Sequence, residues 1–170
     1  MSLDGRIAGP DHDLSFLQML ERGPPEDYST FYDDLDSLLM GAGTWDFMVR
    51  HGSWPYADKP TWLVTHRDEL DVTGTFEGAV VETYAGDIAE LVRRIGERGY
   101  ARTWLVGGGD LAGQLLEADL LDELILTIAP TLVGRGPALA DGEFPLRRFA
   151  LTEVSRWSEN GARLRYERER

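Results

Sequence analysis

Two rhythms of apolar residues run through the chain. Short, nearly continuous apolar runs at Leu38-Leu39-Met40, Thr61–Thr65, Ala79–Thr83 and Thr103–Val106 predict buried strands, each bounded by glycine, proline or charged residues. Between them lie segments of helical period. Asp87–Glu97 sets Ile88, Leu91, Val92 and Ile95 on one face, and Asp110–Ala118 predicts a second helix. Thr44 offers an N-cap for a helix carrying Trp45, Phe47, Met48 and Val49. A short apolar helix is expected near Leu14–Leu20, broken by Gly23-Pro24-Pro25. Beyond Asp122 the helical signal stops. Leu124–Pro130, Phe149–Arg156 and Ala162–Tyr166 read as strands, the last two joined by a hairpin turn at Asn160-Gly161, with Glu167–Arg170 as a frayed terminus. Gly5–Asp13, Pro55–Pro60 and Gly134–Pro137 are loops. Strands alternating with helices, then an antiparallel finish, predict one α/β domain over residues 1–170 with a mixed sheet.

The junction Thr103–Ala112 carries the most chemistry. An apolar strand runs into Gly107-Gly108-Gly109 and directly into a helix opened by Asp110-Leu111. Glycines let a ligand lie against the backbone, and the helix start presents unpaired N–H groups and the positive end of its dipole. That combination is a phosphate seat; a tight strand-to-helix turn is the plainer use. Gly107, Gly109 and Gly113 are one residue too widely spaced for the Rossmann fingerprint. Two more strand ends carry related features: Gly41-Ala42-Gly43-Thr44, glycines with a hydroxyl at a helix start, and Thr65-His66-Arg67, polar and basic after a buried strand. Ligands gather at the carboxyl ends of strands in open α/β sheets, so the three turns are expected to share one cleft.

Composition narrows the classes. The net charge of −13 argues against nucleic acid, whose backbone needs clustered cations, but leaves room for one phosphorylated small molecule. There is no cysteine, which removes disulfides and thiolate metal sites and fits a cytoplasmic location. His12, His51 and His66 lack metal-ligand spacing, so no metal is expected. No apolar run approaches the ~20 residues of a membrane span.

Five segments in order resemble the dihydrofolate-reductase-like superfamily, and more closely the C-terminal reductase domain of the riboflavin-biosynthesis deaminase–reductase and its stand-alone bacterial relatives. They are Ser2–Gly9, Leu39-Met40-Gly41 with Thr44, Trp54-Pro55-Tyr56 with Lys59-Pro60, Leu105–Gly109, and Asp122–Leu124 through Ile128–Gly134. The resemblance implies a three-layer sandwich: a mixed, mostly parallel sheet with antiparallel C-terminal strands and helices on both faces. It implies an NADPH-dependent reductase, in a homodimer, acting on a pyrimidine sugar phosphate or related heterocycle. Gly41, Gly43, Thr44, Thr65, His66 and Arg67 would hold the adenosine end of NADPH. Gly107, Gly108, Gly109, Asp110 and Leu111 would hold the pyrophosphate, and Ile7 and Ala8 would meet the nicotinamide. Asp4, Asp13 and the segment from Ala129 through Gly134 and Arg135 would border the substrate.

The chain departs from its relatives in two places. Many carry arginine or lysine after Met-Gly to take the cofactor's 2′-phosphate; here the residue is Ala42, which leaves His66 and Arg67 to supply charge. Relatives also have an apolar, central strand just before Ser2-Leu3-Asp4-Gly5, and such a strand is expected ahead of the first residue. Cys/His zinc motifs of a fused deaminase are missing, so a second polypeptide would perform that step.

Several residues keep two readings. Asp4 and Asp13 are candidates for handling the proton that accompanies a hydride, or else shape an Asp-Gly turn and cap the Leu14 helix. Asp110 suits an N-cap better than a catalyst. Arg135 either reaches a substrate phosphate or is solvated. Trp54 and Tyr56 wall a heterocycle or anchor a loop; Trp45, Phe47 and Met48 read as core. Hydride transfer needs few protein side chains, so a non-catalytic nucleotide-binding module that kept the phosphate loop is the alternative function.

Overall fold

A computed structural model describes residues 1–56, 58–67, 72 and 75–170, apart from the side chains of residues 25–27. Residue 57 of the expected Pro55–Pro60 loop lies outside them. Four parallel strands, β1 (Ser37–Gly41), β2 (Thr61–Val64), β3 (Val81–Tyr84) and β4 (Thr103–Gly107), form a sheet of order β3-β2-β1-β4. Three antiparallel strands, β5 (Glu123–Ile128), β6 (Phe149–Arg156) and β7 (Ala162–Arg168), form a second sheet of order β5-β7-β6.

The parallel sheet is covered on both faces, which explains its continuous apolar runs. Alternate residues face opposite ways. Leu39 and Trp62 pack with Ile88, Leu91 and Ile95 of α3 (Ile88–Glu97) and with Leu111 and Leu115 of α4 (Gly109–Glu117). Leu38, Met40 and Leu63 pack the other way against Trp45 of α2 (Ala42–His51) and Phe31 and Tyr32 of α1 (Pro25–Asp33). The α3 helix starts as its sequence implies, with Asp87 accepting from the Glu90 N–H at 2.9 Å.

Several local expectations are corrected. Leu14–Leu20 forms only a 3-10 turn over Ser15–Met19, and the Gly23-Pro24-Pro25 break opens α1 instead, with proline in the first helical turn. The α2 helix starts before Thr44, capped by Gly41, and α4 is capped by Gly108, so Asp110 lies inside the first turn. Its carboxylate accepts from Gln114 Nε2 at 2.8 Å. Phe47 is half-buried and stacks on His51 instead of entering the core. The C-terminus is a strand to Arg168, whose N–H donates to the Asp122 carbonyl, because β7 is the central strand of its sheet.

The two sheets are not one ladder. Among the described residues β4 pairs only with β1, and β5 only with β7. The two edges border a cavity of about 1490 Å³ whose lining mixes Ile7, Leu105, Val106 and Leu126 with Arg102 and Glu123. Met1–Leu3 run along residues 127–131: the Met1 amine donates to the Thr127 carbonyl, Ala129 N–H to the Met1 carbonyl, and Leu3 N–H to the Thr131 carbonyl. Thr127 itself belongs to the lining of this slot between β4 and β5. No helix among the described residues is long and apolar enough to cross a membrane.

Candidate active site

Parallel pairing brings the three expected turns together. Gly41 sits opposite Val64, and Met40 opposite Gly107, so the carboxyl ends of β2, β1 and β4 lie side by side. From Thr65–Arg67 to Gly107 is two strand spacings, roughly 10 Å. The hydroxyl of Thr44, in the first turn of α2, would lie 3.1 Å from a Cβ at Gly107, and a Cβ at Gly41 would lie 3.8 Å from Gly108 N.

The three consecutive glycines divide the work. Gly107 has φ +145°, a backbone that side chains rarely adopt, and its peptide bond to Gly108 is cis. A Cβ at Gly108 would meet nothing within 4 Å, so this position faces open space. Gly109 is different. A Cβ there would lie 2.3 Å from the Ala138 carbonyl oxygen, and one at Gly113 only 1.7 Å from that of Asp141. Those two glycines let α4 press against the Ala138–Asp141 segment, where the Asp141 N–H also donates to the Gly109 carbonyl. Gly107, Gly108 and the first N–H groups of α4 therefore form a concave donor surface with Thr44 beside it. The arrangement fits a phosphate group.

Beside the β1 and β2 ends, Thr65 is buried and its Oγ1 accepts from the Arg67 N–H at 3.2 Å, fixing the turn. Arg67 donates from Nη1 and Nη2 to the two Asp46 carboxylate oxygens, each at 2.7 Å, joining this turn to α2. That hydrogen-bonded pair holds Asp46 below and Arg67 above their ordinary pKa ranges. His66 is exposed. His12, in a loop where Asp11 and His12 both have positive φ, would put Cε1 3.5 Å from a Cβ at Gly43.

The far wall is built around Asp4. Its carboxylate accepts from Ser2 Oγ at 2.7 Å, from Val133 N–H at 3.0 Å and from Gly134 N–H at 2.7 Å. The Ser2 hydroxyl, followed by the two backbone donors, holds Asp4 far below the usual carboxylate range. Ser2 is fully buried and also accepts the Arg6 N–H, while Arg6 Nη1 donates to the Gly136 carbonyl at 3.1 Å. Ile7 donates to the Pro137 carbonyl and lines the slot; Ala8 is buried with its carbonyl against Gly136. Ala129 is buried, and Arg135 is exposed on its loop. Asp13 stays local: its carboxylate accepts the Ser15 hydroxyl and N–H, which lower its pKa.

The sequence missed Ser2, Arg6, His12 and Asp46. Spacing could have flagged only Ser2, two residues before Asp4 in a turn. Trp54 and Tyr56 join Trp45, Phe76 and Trp104 in an aromatic cluster under the sheet, as loop anchors and not as walls of the cleft.

Comparison with known proteins bears on the family and the fold. The sequence profile of the RibD C-terminal domain matches residues 1–161. The uncharacterized protein YwjB of Bacillus subtilis is 32% identical over 142 residues, covering 80% of this chain and 76% of that one. Riboflavin biosynthesis protein RibD of Haemophilus influenzae is 38% identical over 77 residues, 44% of this chain and only 20% of that protein. A crystal structure of a candidate riboflavin biosynthesis protein from Shewanella sp. PV-4 superposes with a TM-score of 0.87 at 25% identity, covering 100% of this chain and 96% of that one. Dihydrofolate reductase from Enterococcus faecalis, complexed with NADP(H), shares the fold at TM-score 0.64 and 17% identity, over 100% of this chain and 93% of that one. The chain belongs to the RibD C-terminal domain family.

Proposed function

We propose that the chain is an NADPH-dependent reductase that transfers a hydride to a pyrimidine sugar phosphate or a related heterocycle. The observation that carries the reading is the open face at Gly108, set between the α4 N-terminus and the Thr44 hydroxyl at the ends of β4 and β1. A dinucleotide laid along these strand ends puts its pyrophosphate on Gly107–Leu111 and its adenosine toward Gly41–Thr44 and Thr65–Arg67. Its nicotinamide end then points toward Ile7, Ala8 and the Asp4 wall. When bound, the cofactor supplies the hydride; the protein contributes orientation.

Within this reading the residues take distinct parts. The N–H groups of Gly109 and Asp110, and the Thr44 hydroxyl, donate to phosphate oxygens. Asp4 is a positioning residue, because a carboxylate fixed by three donors carries no proton to give at neutral pH. It sets the Val133–Gly134 turn and so the aim of Arg135, which would meet the substrate's phosphate. Asp13 shapes the Gly9–Ser15 loop. The protein would act without a metal, in solution, as a homodimer. Fluorescence titration with NADPH, followed by screening of pyrimidine ribosyl phosphates for NADPH oxidation, tests the reading. Saturable binding with substrate-dependent oxidation is expected. Binding with no turnover on any heterocycle would leave a nucleotide-binding module, and absence of binding would overturn the reading.

A further inference from the structure

The adenosine end of the cleft holds an arrangement that its role as a dinucleotide site does not require. Arg67 is the basic side chain of the β2 turn with its guanidinium fixed on α2, and both of its terminal nitrogens are committed to Asp46. Two further basic side chains lie near Asp46. Arg50 lies one turn along α2, with Nε 3.4 Å from the Asp46 carbonyl, and His12 hangs over Gly43. Both, with Arg67, favour the ionised form of Asp46. At the start of α2, Ala42 contributes no charge. Positive charge at this end is thus gathered around an internal anion.

Resting on the reading of the cleft as a dinucleotide site, we propose that Asp46 sets the cofactor preference by holding Arg67 as an internal counter-ion. A 2′-phosphate gains Arg67 only by displacing a carboxylate, whereas a free 2′-hydroxyl faces no such competition and can donate to Asp46. The pair is open to a ligand, with Arg67 and Asp46 side chains 51% and 40% exposed, so displacement is feasible and the preference graded. Two effects act together against the 2′-phosphate: loss of the ion pair and repulsion between a dianion and a neighbouring carboxylate. Their sum corresponds to roughly a tenfold change in affinity. The ion pair therefore narrows the preference of the wild-type chain for NADPH over NADH.

The test measures dissociation constants of NADPH and NADH by nicotinamide fluorescence for the wild type, Asp46→Asn, Asp46→Ser and Arg67→Ala. Far-ultraviolet circular dichroism checks the fold of each variant. Asp46→Asn keeps the side-chain shape and removes the charge; it is expected to tighten NADPH about tenfold while NADH changes less than about threefold. Asp46→Ser should shift the ratio in the same direction. Arg67→Ala leaves the Asp46 carboxylate unpaired and should weaken NADPH more than NADH. If both dinucleotides bind but the Asp46 variants leave their ratio within about twofold of wild type, the inference is overturned and the reductase reading stands. If neither dinucleotide binds any variant, both fall together.

Discussion

Replacing Gly108 by alanine isolates the phosphate seat from the fold. The residue has φ −101° and ψ −171°, extended backbone open to any L-amino acid, and the new methyl meets no atom within 4 Å. The structural cost is that of a weaker N-cap, about 0.5–1 kcal/mol. For a chain of this size that lowers Tm by only about 2–4 °C. The ligand cost is larger. The methyl projects over the N–H groups at the start of α4, where a phosphate oxygen would sit. Losing one hydrogen bond to a charged group costs about 1.5–3 kcal/mol, roughly ten- to hundredfold in Kd. Nicotinamide fluorescence titration gives the Kd, and a thermal melt of the same sample gives Tm. A folded Gly108→Ala protein that binds NADPH within about threefold of wild type would refute the seat, because no displaced phosphate could keep its bonds.

The neighbouring glycines should behave in the opposite way. Gly109→Ala and Gly113→Ala drive a methyl into the Ala138 and Asp141 carbonyls, so both are expected to lose at least about 1–3 kcal/mol of stability in chemical denaturation. Full stability would mean that α4 does not press on that segment. Asp4→Asn should cut turnover much more than NADPH affinity and loosen the Val133–Gly134 turn, seen as faster amide exchange there; equal turnover would remove its positioning role. Because the folded-state pKa of Asp4 is depressed, its stabilisation is complete above the ordinary aspartate value of about 3.9 and fades as pH falls below it. Wild type should therefore lose more stability between neutral pH and pH ~3 than Asp4→Asn, and parallel curves would contradict this.

Much of the fold could be read from the chain because local and tertiary demands agree there. The runs at Leu38–Met40 and Thr61–Val64 are apolar on both faces, as strands between two helical layers must be. The 3.6-residue pattern of Ile88, Leu91 and Ile95 meets one face of that sheet. Pattern failed where a residue's partner is distant. Nothing within three residues of Gly109 reveals the Ala138 carbonyl that forbids a side chain there, so the triple glycine looked uniform. Nothing near Asp46 announces Arg67, 21 positions later. The caps of α2 and α4 fell on Gly41 and Gly108, which polar-cap preferences do not anticipate. The expected single mixed sheet became two, since β4 and β5 face each other across the cavity without pairing.

The central claim is that one dinucleotide lies across the ends of β2, β1 and β4. Titrating isotope-labelled protein with NADPH, followed by amide chemical shifts, tests it most directly. The account predicts saturable shifts concentrated at Gly107–Leu111, Gly41–Thr44 and Thr65–Arg67. Saturable shifts that spare all three turns, or no shifts at saturating cofactor, would contradict it.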